Sequence, residues 1–447
     1  AITVAATSPQ VCNSGASSQL PAKPSAEIST IVSTQCTAHS ADRAMPTASS
    51  LMRFDMLRKF MRSEVCYVVS FCKCLKIDRV PAMRVCALAS LVANTHSCGM
   101  AATLLRRSSE PTLDGTRPGW LAWWLVCVAV LVVLIVAVGG ITRLTESGLS
   151  ITQWDPVTGV LPPLSDKAWQ AEFALYQATP EYRLEAGPAG MTLADFKAIF
   201  FWEWFHRLLG RLIGLVFALP LAFAWLRGWI PKGYKPRLLA LLALGGLQGV
   251  FGWLMVSSGL TGSMTDVSHF WLSIHLCTAL FTLAGLVWTA LDLHDLDRNQ
   301  GALPARLRPL AAIAGGVLFV QIVLGAWVAG LNAGHASNTW PLMQDRFVPE
   351  ANWSQGFFWA LTHDPFLLHF IHRWFAWIAF IVLIWLGSRA LPREGNAGKA
   401  LIALAIGQVL LGIVTVVTGV SIWVAVAHQV TGALLVAATS ASAHALG

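Results

Sequence analysis

From Trp120 onward the chain is a succession of apolar runs, near 120–141, 200–225, 238–257, 268–291, 309–331, 366–387, 400–419 and 422–442. Most reach the roughly 20 residues that an α-helix needs to cross about 30 Å of hydrocarbon. Only 12% of the residues are charged and 55% are apolar, against about 25% charged in an ordinary soluble domain. A soluble fold would have to bury several twenty-residue apolar runs at once. The expected fold class is therefore an all-α integral membrane protein with eight transmembrane helices.

Loop charge orients these spans. Arg106, Arg107 and Arg117 precede span 1, and Arg227, Lys232, Lys235 and Arg237 join spans 2 and 3. Arg298, Arg306 and Arg308 lie between spans 4 and 5, and Arg389, Arg393 and Lys399 between spans 6 and 7. The loop after span 1 is long and acidic, with Glu146, Asp155, Asp166, Glu172, Glu181, Glu185 and Asp195. The positive-inside rule then puts both termini in the cytoplasm of a bacterium, in its plasma (inner) membrane, or in the matrix for a mitochondrial inner membrane. The net charge of +8 is no sign of nucleic-acid binding. Residues 1–118 hold 13 Lys+Arg against 7 Asp+Glu, whereas the rest is nearly balanced at 18 against 16.

Residues 1–99 are unlike the remainder, being rich in Ser, Thr, Ala and Cys without periodicity. They read either as an organelle transit peptide or as translated upstream sequence, since Met100 opens a natural bacterial start ahead of span 1. Seven of the nine cysteines fall there, and Cys72-Lys73-Cys74 is too close for the usual zinc spacing. No function is assigned to this segment.

The remainder divides into two halves, 100–297 and 298–447, of four spans each. Gly140-Ile141-Thr142-Arg143-Leu144 follows span 1, and Ala329-Gly330-Leu331-Asn332 follows span 5. Leu247-Gln248-Gly249-Val250 in span 3 answers Leu410-Leu411-Gly412-Ile413 in span 7. An even number of spans keeps the same orientation in both halves, so the expectation is two tandem four-helix bundles forming a parallel internal repeat.

The sharpest correspondence is Glu203-Trp204-Phe205-His206-Arg207 in span 2 against His369-Phe370-Ile371-His372-Arg373 in span 6. Each run places a titratable residue three positions before a His-Arg pair, on one helical face. Ionisable groups inside a span are costly and mark function by default. His275 in span 4 and His428 in span 8 complete a set of four, each six to eight residues from the outer end of its span. That is roughly 10 Å of depth, so each half brings two histidines from different helices to one level. Such a pair suits axial ligation of haem iron from both faces of the macrocycle. Structural hydrogen bonding by the histidines and mononuclear copper or zinc, which two imidazoles leave short of ligands, are the competing readings. Arg207 and Arg373 are candidate partners for haem propionates, or else form internal salt bridges. A carboxylate such as Glu203 resists ionisation in an apolar span. It either handles protons close to the iron or serves as a structural partner of Arg207. His269 and His363 are expected at outer span edges, His294 in an inner loop, His335 in an outer loop, and His39, His96 and His444 near the termini.

Taken together, these residues resemble the haem A synthase family over about 115–440. The resemblance is carried by Gly139-Gly140-Ile141-Thr142-Arg143-Leu144-Thr145, by Phe200-Phe201-Trp202-Glu203-Trp204-Phe205-His206-Arg207 and by Gly252-Trp253-Leu254-Met255-Val256. In the second half it rests on Asn338-Thr339-Trp340-Pro341-Leu342-Met343, His369-Phe370-Ile371-His372-Arg373 and His428-Gln429. It implies an eight-span enzyme that oxidises the C8 methyl of haem O to a formyl group through a hydroxylated intermediate, making haem A for cytochrome c oxidase. It also implies that His206 and His275 flank the substrate haem beside Glu203, and that His372 and His428 hold a haem b cofactor. Residues 143–199 contain no cysteine, which is similar to the alphaproteobacterial and mitochondrial branch. The expected partners are a haem O synthase, an electron donor, membrane lipid and a second copy of the chain. Two other functions fit bis-histidine haems in a bundle: a quinol-linked di-haem electron carrier, and a haem transporter or chaperone.

Overall fold

In the computed structural model, residues 115–447 are described, apart from Pro156 and Ser263. The segment 1–99, with His39, His96 and seven cysteines, lies outside the described residues. Ten α-helices follow in order: α1 (Pro118–Leu144), α2 (Asp166–Gln177), α3 (Leu193–Leu226), α4 (Tyr234–Gly259), α5 (His269–Arg298), α6 (Pro309–Gly330), α7 (Phe357–His363), α8 (Pro365–Ala390), α9 (Gly395–Val417) and α10 (Ile422–Leu446). All but α2 and α7 are long and apolar enough to cross a membrane, eight among the described residues. The chain is all-helical there, as its composition requires, and is a multi-pass membrane protein.

The helix starts have local causes. Proline opens α1, α6 and α8, where its fixed φ suits the first turn and its missing N–H leaves nothing unsatisfied. Asp364 caps α8, its carboxylate accepting from Leu367 N at 2.7 Å. Helix α3 begins at Leu193 rather than near 200. Thr192 and Asp195 form a reciprocal capping box that nucleates helix outside the apolar run. This extra length packs on α2, a helix within the long loop expected after span 1. Ser165 caps α2 by accepting from Ala168 N, and Tyr176 packs with Phe196 and Phe200 of α3, flanked by Trp169 and Phe173. The long loop after α1 is thus a folded cap with its own aromatic core.

Helix α1 packs along α5, α3 and α10 and is the central element. Its apolar window is 61% buried, against 6% for α4, so α4 is a peripheral helix facing lipid. Helices α3 and α4 touch little although consecutive, whereas their counterparts α8 and α9 pack along their length. In the first four spans α3 and α4 therefore stand further apart than α8 and α9 do in the last four.

Polar ties fasten both ends. At one end of the bundle Arg143, at the end of α1, donates to Ala329 O at 3.1 Å and to Asn332 Oδ1 at 2.9 Å, and pairs with Asp266 at 3.5 Å. At the other end the buried Asp292 accepts from Arg237, from His444 Nε2 at 3.0 Å and from Ala305 N at 2.8 Å. Three outlying histidines have surroundings that the sequence did not show. His444 lies in α10 and bonds to Asp292. His294 is helical, because α5 runs on to Arg298. His269 is buried, its Cβ packed against Gly330 so closely that no side chain would fit on that glycine. Replacing Asp292 with Ala strips Arg237, His444 and the Ala305 N–H of a shared acceptor. This should cost about 3 kcal/mol, read as a lower unfolding midpoint in detergent; an unchanged midpoint would show that the cluster does not hold those helix ends together.

Candidate functional site

His206 on α3 and His275 on α5 face each other with ring centroids 6.5 Å apart and planes inclined at 45°. Two metal–imidazole bonds of about 2 Å each, plus the ring radius at both ends, put collinear axial imidazoles about 6–6.5 Å apart. The pair is therefore spaced for one iron between the rings. On α8 and α10, His372 and His428 also lie within electrostatic range of each other. All four rings are only half-buried, although they lie within spans.

Each ring is backed by a glycine on a neighbouring helix. A methyl group placed on Gly139 of α1 would lie 3.0 Å from His206 Cε1, and one on Gly252 of α4 would lie 3.3 Å from His275 Cε1. The corresponding distances are 2.8 Å from Gly325 of α6 to His372 and 3.1 Å from Gly412 of α9 to His428. Four histidines on even-numbered spans thus rest on four glycines of odd-numbered spans. The glycine lets the backbones approach and fixes the side from which each ring can project. Sequence reading missed these supports. The available signal was a Gln four residues before the glycine, present as Gln248/Gly252, Gln321/Gly325 and Gln408/Gly412.

Above the first pair, the carboxylate of Glu203 is buried among three donors. Ser150 Oγ and Ile151 N donate to Oε2, each at 2.7 Å, and Arg207 Nη2 donates to Oε1 at 2.6 Å. The apolar surrounding pictured from sequence is replaced by a partnered one. Arg207 also donates to Ile151 O at 2.8 Å and Gln153 O at 3.1 Å. The second run is built alike. Arg373 Nε donates to His369 Nε2 at 3.0 Å, and its Nη atoms donate to Ser337 O and Thr339 O, each at 2.8 Å. Each arginine therefore grips the loop that leaves an odd-numbered span, steadied by the residue four positions before it. That residue is Glu203 in one case and His369 in the other.

The chemistry of the donor set suits haem. Among the described residues no three His, Cys, Asp or Glu side chains converge as a metal site would need, which argues against mononuclear zinc or copper. A facing imidazole pair at iron spacing, inside apolar helices, fits a flat macrocycle. A multi-pass helical membrane protein with such a pair has the build of a haem-binding membrane protein.

Comparison with known proteins narrows this further. The COX15-CtaA family, described as cytochrome oxidase assembly protein, matches residues 122–440, and the chain belongs to that family. It is 62% identical over 327 residues to a heme A synthase of Erythrobacter litoralis, covering 73% of this chain and 97% of that protein. It is 59% identical to one of Sphingopyxis alaskensis, covering 74% and 93%, and 55% identical to one of Novosphingobium aromaticivorans, covering 73% and 95%.

The cap over the first pair also carries a titrating group. Burial of Glu181, and then the negative charges of Glu146, Glu203, Asp266 and Glu185, push its carboxyl up to about 8 from an ordinary 4.5. The unfolded chain releases this proton near 4.5 and the folded cap only near 8, so stability falls as pH rises across that window. Glu181→Gln keeps a neutral side chain of similar shape. Its unfolding midpoint should match that of the unsubstituted protein at pH 5 and exceed it by several degrees at pH 9; parallel curves from pH 5 to 9 would refute the assignment.

Proposed function

We propose that this protein oxidises the C8 methyl of haem O to a formyl group, through a hydroxylated intermediate, and so supplies haem A for cytochrome c oxidase. The observation that carries this reading is the pair of facing imidazoles, His206 and His275, at the spacing of one iron, in a chain of this family. His206 and His275 hold the substrate haem; His372 and His428 hold a resident haem b. The loose contact between α3 and α4 supports this division, because a substrate that comes and goes suits the less tightly packed half. The closed α8–α9 contact suits a group that stays.

The haems supply iron redox chemistry and, in the substrate, the methyl carbon that is oxidised. The protein's own residues position and protect. Ser150 and Ile151, at the start of the long loop after α1, lie against Glu203 one turn from His206. Glu203 lies one turn from His206, with Arg207 fixing Oε1 and Ser150 Oγ donating to Oε2. It is thus placed to take up and release the protons of the oxidation through Ser150. Arg207 and Arg373 each use three of their five N–H donors on the protein, and the remaining donors are available to propionates. The domain division at residues 297 and 298 follows the two haem sites. Both termini face the cytoplasm or matrix, of a bacterial plasma membrane or a mitochondrial inner membrane. A haem O synthase delivers substrate, a separate donor supplies electrons, and the chain associates with itself. A transmembrane electron carrier would place its haems on opposite sides, whereas His275, His372 and His428 all lie near the outer ends of their helices.

Cells expressing the chain with a source of haem O should accumulate haem A or its hydroxylated precursor on extraction. Haem B and haem O alone, with an electron donor present, would overturn the reading. Glu203→Ala should keep the second haem and lose at least about 100-fold in haem A formation; undiminished formation would remove Glu203 from the reaction. His372→Ala or His428→Ala should lose the resident haem, and unchanged haem content would refute that site.

A further inference from the structure

Three of the four candidate ligands have a glutamine beside them. Gln321 Nε2 lies 3.1 Å from His372 Nδ1 and donates to His372 O at 3.2 Å. Gln248, with its amide oriented to satisfy both ends, donates to His275 O at 3.1 Å and accepts from Ala279 N at 3.2 Å. Its main chain also bonds the His275 ring. Gln408 offers its main chain to the His428 ring, a long contact that leaves Nδ1 without a close partner. The Gln408 side-chain nitrogen comes within 3.4 Å of where a Gly432 side chain would begin.

The fourth position breaks the pattern. The residue four before Gly139 is Ile135. Its Cδ1 lies 3.6 Å from where a Gly210 side chain would begin. Gly210 stands four residues after His206, as Ala279 stands after His275 and Gly432 after His428. Ile135 therefore occupies the place of the glutamines, and among the described residues no hydrogen bond to either ring nitrogen of His206 is found.

We propose that Ile135 is a positioning residue that leaves His206 without a polar anchor and so makes it the axial ligand that lets go. This rests on the reading of His206 and His275 as the substrate-haem pair. A hydrogen bond to the outer nitrogen of a ligating imidazole fixes ring orientation and raises its basicity, and its loss typically costs about 10–100-fold in metal affinity. A resident cofactor needs firm ligands: His372 has the Gln321 amide on its ring, and His428 has the main chain of Gln408. A substrate that is exchanged at every turnover needs one ligand that holds and one that yields. His275 has Gln248 and is the holding ligand; His206, facing apolar Ile135, is the yielding one. Glu203 stands on the yielding side.

The test uses the full-length protein loaded with ferric haem B at both sites and exposed to excess apoglobin as a haem scavenger. The unsubstituted protein should release one haem fast and one slowly. Ile135→Gln should slow the fast phase about 10-fold and shift the low-spin electron paramagnetic resonance signal of that haem, while Ile135→Leu leaves both unchanged. Gln321→Leu should speed the slow phase. The second-site signal, intact in the Ile135 variants, reports that they fold. If Ile135→Gln releases its haem within twofold of the original rate, with the second-site signal intact, the inference falls. His206→Ala separates the two readings. If it abolishes the fast-phase low-spin signal while Ile135→Gln changes nothing, the ligand pair stands and the role of Ile135 does not. If it leaves both signals untouched, the ligand pair itself is wrong, and the inference with it.

Discussion

The contact on which this architecture depends is an imidazole pressed against a glycine of the next helix. An imidazole within a span has few places to go. It must find a partner, or it leaves a polar ring facing hydrocarbon. The glycines remove the side chain that would otherwise fill the space beside each ring, and His206 and His275 then face each other. Repeated at Gly139, Gly252, Gly325 and Gly412, this contact sets helix spacing and ring direction together. The 6.5 Å separation of His206 and His275 follows from it.

A second constraint acts at the outer rim. Loops at the membrane surface can drift unless their backbone groups are held, and here two arginines hold them. Arg207 grips residues 151 and 153, and Arg373 grips residues 337 and 339. Both arginines immediately follow a histidine of the set, so each loop and its histidine are tied to one helical turn. The sites differ in what steadies the arginine. Glu203 brings a charge and two oxygens, one of them hydrogen-bonded to Ser150. His369 brings a neutral acceptor with its other nitrogen buried and unpaired. The same scaffold thus carries a carboxylate at one of these positions and an imidazole at the other. The halves differ in packing too, α3 and α4 touching less than α8 and α9.

Much of this was legible in the sequence because lipid leaves a chain few options. Apolar run length alone located the eight helices, and loop arginines supplied an orientation. The spacing of His206, His275, His372 and His428 from the span ends put them at one depth. Less legible were features whose cause lies between elements. Helix α2 and the early start of α3 depend on an aromatic cap around Phe196 and Phe200, and no hydropathy window contains both partners. His444 looked terminal because its acceptor, Asp292, lies 152 positions away. The Gln-to-Gly spacing was in plain view, but it has meaning only once the facing histidine is known.

By itself, then, the sequence determined the class of fold and the number of spans, because hydrophobic length and helical rise are properties of single segments. Only the tertiary structure decided that Arg207 closes on Glu203 and two loop carbonyls, that each imidazole leans on a glycine, and that Ile135 stands where three glutamines stand elsewhere. Those are contacts between helices, and a side chain's role there is fixed by the neighbour that folding brings against it.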